Sequence, residues 1–258
     1  MRKSLLLLLT LVLVVVLWLD ILKNISGNKI SPVKKAEVAS AVLTKKPQLP
    51  DRLGEKIIYD VMLGSLKLGT AVFHYQSRSE LDLKPVNFIT FETKLVRFKD
   101  SEKIYSDPGT SLPLRVEREI SHWPKHEKII EVYDQEKFSL HIVKTESGRD
   151  HELDFKKEAP IHNAILLPYY VREVSDPAVG WNFQANLPTQ QFSIELVSIE
   201  EIKIAAGKFK AYHFKSTPQR FEIWVSADEY KIPLKIKGMS GIGYTLVMRE
   251  YAPGARSR

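Results

Sequence analysis

The 258-residue chain contains no cysteine. That absence excludes disulfides, thiolate metal sites, a nucleophilic thiol and a thioether-linked lipid anchor, and it suits any redox compartment. Long helical periodicity is almost missing as well, which argues against a parallel βαβ architecture. No Ser/His/Asp order, paired-acid motif or nucleotide fingerprint stands out. The net charge of +7 would suggest nucleic acid, but the excess is local. Residues 1–50 hold eight Lys/Arg and two acids, whereas residues 51–258 carry 30 basic and 29 acidic side chains. A domain without a basic stripe is a poor nucleic-acid binder, so no nucleic-acid partner is expected.

What is present first is an apolar run, Leu5–Leu19, softened only by Thr10, with Arg2 and Lys3 before it and Asp20 after it. A bilayer core takes ~20 apolar residues and a signal-peptide core about half as many. The run falls between these lengths. Small residues suited to cleavage are poorly placed: Ser26 and Gly27 follow Asn24 and Ile25, and Ala39-Ser40-Ala41 lies too far downstream. We therefore expect residues 1–22 to be an uncleaved, single-pass transmembrane helix, with Leu5, Leu9, Leu13, Val16, Trp18 and Leu19 in lipid. The flanking charges conflict. Lys23, Lys29, Lys34 and Lys35 would hold the C-terminal side in the cytoplasm, while the short basic head before a Leu-rich core reads as an export signal. We take the export reading: a membrane anchor with the C-terminal domain outside the cytoplasm. Residues 23–50, with scattered Lys and Pro32, Pro47 and Pro50, read as a basic stalk with a coil span on the order of 30 Å. Such a stalk is expected to attract anionic lipid at roughly 1 kcal/mol per charge.

Residues 51–251 read as one antiparallel β domain, followed by a frayed tail at 252–258. Lys56–Met62 and Leu66–Gln76 flank Gly64-Ser65, a hairpin signal. Phe138, Leu140 and Ile142 alternate with polar residues, as do Phe221, Ile223 and Val225. Further runs lie at 87–98, 102–106, 112–120, 127–133, 190–204, 207–217, 232–238 and 242–250. The expected fold is mainly β: a curved antiparallel sheet, open barrel or sandwich-like, with one short helix at 161–174 disturbed by Pro168. There is also a weak internal echo. Leu112-Pro113-Leu114-Arg115-Val116 matches Ile232-Pro233-Leu234-Lys235-Ile236 in type, each after an aromatic residue, a Ser and an Asp.

The segments Gly54–Val61 and Lys67-Leu68-Gly69-Thr70-Ala71 resemble the start of bacterial envelope proteins catalogued as domain of unknown function 3108. The Asp107–Pro113 turn, the 161–173 segment, Ala206–Ala211 and Ile223–Ile236 extend the likeness, in order, across roughly residues 52–251. The resemblance implies an exported, mostly β domain of the bacterial envelope, here on an inner-membrane anchor with the C-terminal domain in the periplasm, and it supplies no catalytic residues.

Several constellations were weighed for chemistry. Ser240, within Gly238-Met239-Ser240-Gly241-Ile242-Gly243, lacks the second glycine of a nucleophile elbow and reads as a Gly-rich turn. His122 and His126 bracket Pro124, which opposes the helix that a zinc pair at this spacing needs. Asp150, Glu152 and Asp154 alternate along a polar strand. No metal site and no cofactor is expected. The candidate site is apolar: Ile165, Leu166, Tyr169, Tyr170, Trp181 and Phe183 surround the helix, and a curled sheet around such a helix can hold an apolar ligand. The expected role is non-catalytic binding of an envelope lipid or acyl chain. The alternatives are an adaptor for an envelope protein or polysaccharide assembly, and a hydrolase with an unrecognised cleft.

Overall fold

The computed structural model of the chain describes residues 52–239 and 243–254. The apolar run with its anchor residues, the stalk, Asp51, Ser240, Gly241, Ile242 and the last four residues lie outside the described residues. No helix among the described residues is long and apolar enough to cross a membrane.

The domain is one 14-stranded antiparallel sheet. Its first eight strands are β1 (Lys56–Leu63), β2 (Leu66–Leu81), β3 (Lys84–Leu95), β4 (Phe98–Ser106), β5 (Pro113–His122), β6 (Lys125–Asp134), β7 (Ser139–Glu146) and β8 (Arg149–Lys156). After α1 (Leu167–Arg172), the single helix among the described residues, come β9 (Asn182–Asn186), β10 (Gln191–Ile204), β11 (Gly207–Thr217), β12 (Phe221–Ser226), β13 (Pro233–Gly238) and β14 (Thr245–Ala252). Strands adjacent in the sheet are consecutive in sequence, apart from one pair near the middle in which β1 lies against β14. The edges are therefore β8 and β9, both from the middle of the chain.

The strands form where apolar residues recur at period two. Ile57, Tyr59 and Val61 of β1 are buried, as are Leu140 and Ile142 of β7, while the residues between them face outward. Open sheets of more than about ten strands curl or split. Register shifts at Tyr75/Ser77, Tyr105/Ser106, Leu196/Ser198 and Trp224/Val225 mark bulges that add bend and twist here. Two adjacent residues reveal how far the curl goes. The Ile161 carbonyl accepts from Gln135 in the β6–β7 turn at 2.9 Å, and the His162 amide donates to the Asn186 carbonyl of edge strand β9 at 2.7 Å. The two halves thus meet through the 157–181 connection. No ladder joins β8 to β9 among the described residues, so the barrel-like curl stays open.

Three sequence expectations change. Pro168 occupies the first turn of α1, where a missing amide costs nothing, so it opens the helix and does not disturb it. The run 87–98 is not one strand; Val96 and Arg97 form a tight turn between Leu95 and Phe98, with Arg97 at φ 63°. β9 is an additional strand, whose five residues were too few for periodicity to reveal.

The two echo sequences do adopt matching structures. Pro113 and Pro233 each open a strand, where no ladder amide is required of them. Asp107 Oδ1 accepts from the Gly109 and Thr110 amides, and Asp228 Oδ1 from those of Tyr230 and Lys231. Both turns then hold the C-terminal end of α1. Ser111 Oγ donates to Glu173, the Tyr230 carbonyl accepts from Arg172, and Lys231 donates to the Val174 carbonyl.

Candidate binding trough

α1 buries every one of its six residues against the concave face of the sheet. Tyr169 stacks on Phe73 of β2 with ring centroids 4.2 Å apart. Below it, Arg172 reaches Glu55 with two parallel bonds of 2.7 Å, a fork geometry specific to guanidinium and carboxylate. Burial alone would raise the Glu55 carboxyl. The hydrogen bonds and charge of Arg172, the charge of Arg52 and the Tyr251 hydroxyl reverse this and hold it below its ordinary value. Burial and the neighbouring Arg172 charge lower Arg52 to about 10.

The six residues singled out in the sequence do not form one patch. Tyr170 meets His162 edge-on at 5.0 Å and lies 6.0 Å from Phe183. Phe183 stacks on Trp181 at 6.5 Å, and Trp181 meets Phe214 of β11 at 6.1 Å. This brings Tyr170, Trp181 and Phe183 into one aromatic chain along the β9 edge, with Trp181, Phe183 and Ile165 half-buried. Leu166 caps α1 and is buried. Tyr169 points the other way, toward Phe73 and the Glu55–Arg172 pair.

Sequence reading missed a second group, on the inner face of β4, β5 and β6. Glu102 lies opposite Arg118, and Val116 lies opposite Glu131, so Asp100, Glu102, Arg118 and Glu131 share the face of the buried Ile104 and Ile120. Arg118 donates to Asp100 at 2.9 and 2.5 Å and approaches Glu102 at 3.4 Å. Tyr133 donates to Glu131. Burial pushes Glu102 up to about 8, with Arg118 opposing and the charges of Asp100 and Glu131 adding. Burial also raises Glu131 against the Tyr133 bond and Arg118. Further along the same face Lys144 bridges Glu127 and Glu146 at 2.9 and 3.2 Å. The available signal was phase: Asp100 and Glu102 stand four and two positions before Ile104, on its side of the strand. Tyr133 links the two groups, because it also feels Asn163 and Tyr170 beside α1.

The other weighed residues lie elsewhere. His122 ends β5 and His126 lies in β6, on either side of the Trp123–Pro124 turn; His126 pairs with Ser121 at 3.0 Å. Asp150, Glu152 and Asp154 lie on one exposed face of edge strand β8, where Asp150 accepts from Thr145 and Asp154 pairs with His141. On the convex side, buried His213 stacks on Trp224 at 4.1 Å and meets Glu222 at 2.8 Å. Ser198 is 3.5 Å from its other nitrogen.

A family model described as a protein of unknown function (DUF3108) matches residues 58–249. No curated protein matches the chain. Among solved structures, a β-barrel-like protein of domain of unknown function DUF1849 from Brucella abortus superimposes with a TM-score of 0.50 at 7% identity, covering 80% of this chain and 100% of its own. That likeness concerns the fold alone. A candidate exported protein with a YmcC-like fold from Bacteroides fragilis gives 0.29 at 9% identity, over 79% of this chain and 98% of its own. A candidate lipoprotein from Parabacteroides distasonis gives 0.29 at 7% identity, over 79% and 97%.

Proposed function

We propose, taking as premise that this chain belongs to the DUF3108 family of proteins of unknown function, that it is a membrane-tethered periplasmic domain that binds an amphiphilic envelope molecule without chemical turnover. The observation that carries this reading is the mismatch between the helix and the curl it sits in. Six helical residues span about 9 Å, whereas β4, β5 and β6 run for 9 or 10 residues, about 30 Å. Beyond the helix the inner face presents charge that stays partly open to solvent. The side chains of Arg118, Lys144 and Asp100 are 21%, 16% and 13% exposed. Half-buried Ile165, Trp181 and Phe183 offer an apolar wall near the helix, backed by Leu166 and Tyr170, while Tyr169 faces away toward Phe73. A ligand with an acyl portion and a polar head matches that division, since ligand sites combine an apolar lining with a few placed polar groups.

Photo-crosslinking tests the proposal. Membranes carrying the full chain are incubated with a diazirine-bearing fatty acid, irradiated, and digested for peptide mass spectrometry. Adducts are expected on 161–183 and on inner-face residues of β4–β7, and Ile165→Asp with Phe183→Asp is expected to remove them. Labelling confined to Leu5–Leu19 would reject the trough as a binding site.

A further inference from the structure

We propose that the ends of the β1–β2, β3–β4 and β5–β6 hairpins form a rim that docks on the anionic surface of a lipid bilayer. The three turns succeed one another along one end of the sheet, separated by two strands each, or about 10 Å. Each presents a large apolar side chain to solvent: Leu66 is 61% exposed, Val96 72% and Trp123 82%. Scattered apolar residues are normal on a surface, but Val96 and Trp123 each take the first place of a two-residue turn and Leu66 directly follows the β1–β2 turn, so all three lie at one end of the sheet. Met239, after β13, is a fourth at this end, at 36%.

Charge selects the occupant. Segments 64–67, 94–99 and 122–126 contain Lys67, Lys94, Arg97, Lys99 and Lys125 and no acid. Three carboxylates reach these cations from the strands: Asp60 to Lys67, Glu92 to both Lys94 and Lys99, and Glu146 to Lys125. Positive charge stays in excess. The turns at the opposite end, 80–84, 106–112 and 134–138, carry five acids and two lysines. There Leu83 is the exposed large apolar residue, at 93%. A bilayer interface takes Trp at head-group depth, accepts short apolar tips, and lets lysine stems lie along the acyl boundary with their ammonium groups among phosphates.

Because the chain has no cysteine, one introduced thiol reports one position. The full chain carrying Val96→Cys, labelled with an environment-sensitive NBD group, is reconstituted into vesicles of phosphatidylcholine with or without phosphatidylglycerol. With phosphatidylglycerol the emission should shift to the blue and be quenched by nitroxide lipids. The same label on Leu83→Cys should stay aqueous. Arg97→Glu should lower the odds of insertion at least fivefold, the factor that corresponds to roughly 1 kcal/mol for each cation beside an anionic leaflet. Both thiol positions are exposed, and an unchanged near-ultraviolet circular dichroism spectrum certifies the fold. A label at 96 that stays aqueous in anionic vesicles, responds equally in neutral ones, or is matched by the label at 83 overturns the proposal. So does a response that appears only when an acidic protein is added.

Discussion

Glu102 shows what burying several carboxylates beside one guanidinium costs. Its folded-state value of about 8 lies well above that of a free glutamate, because burial and the charges of Asp100 and Glu131 outweigh Arg118. The folded protein therefore holds a proton that the unfolded chain releases. Below the unfolded value, near 4.5, both states are protonated and Glu102 carries no penalty. As pH rises toward 8 the folded state loses stability by at most about 1.4 kcal/mol per unit, and the loss levels off beyond 8. Glu102→Gln should flatten that slope, so its Tm should gain on the parent at pH 8 and match it more closely at pH 5. Parallel Tm–pH curves for the two proteins would show that Glu102 is ionised throughout. Glu55 has the opposite sign: its lowered value gives stability that is present above the unfolded value and lost as pH falls through the folded one. Phase alone puts Glu102 on the side of Ile104, but its pairing with Arg118 was not legible in the sequence, since that needs the β4–β5 register.

Elements were more legible wherever a local rule specifies them. Gly64-Ser65 signals a hairpin, and Gly64 indeed sits at φ 59° with Leu63 opposite Leu66. Gly69 shows a different constraint within the resemblance motif Lys67–Ala71. A Cβ there would lie 2.0 Å from the Lys94 carbonyl oxygen and 2.8 Å from Leu95 Cδ2. Backbone cannot yield as a side-chain tip can, so Gly69→Ala should strain the β2–β3 ladder by about 1–3 kcal/mol or more. In a domain of this size each kcal/mol lowers Tm by about 2–4 °C. Gly64→Asn, whose added Cβ meets nothing within 4 Å, should stay within about 1 kcal/mol because Asn tolerates the left-handed region. Equal losses in thermal melts of the two variants would refute the steric account. The strand that escaped notice lacked a local rule, since β9 has only five residues, whereas the alternating acids of β8 did mark a polar strand.

At the scale of the molecule, the central fact is non-local and so was hidden. A curved antiparallel sheet with one helix could be expected from periodicity, but nothing in residues 56–63 names residues 245–252 as their partner. That pairing joins the two ends of the domain at the middle of the sheet, while residues 157–181 run between its edges. β14 is thus the strand that couples β1–β8 to β9–β13. It places Leu246 opposite Val61 and Met248 opposite Tyr59, all four buried. Tyr59 reaches across to donate to the Pro233 carbonyl at 3.0 Å. Deleting Thr245–Ala252 would expose unpaired backbone on both β1 and β13, and the apolar residues of two half-sheets with it. The remaining link is the helix segment, whose Arg172 holds both Glu55 and the Tyr230 carbonyl. One salt-bridged helix cannot replace a central ladder on each side. The truncated chain should therefore lose the single cooperative unfolding transition and most of its amide protection, in β1 and β13 before β4 and β5. Hydrogen exchange read by mass spectrometry resolves this order strand by strand. Uniform, near-native protection after the deletion would mean that each half-sheet is stable alone and that β14 is not the coupling strand.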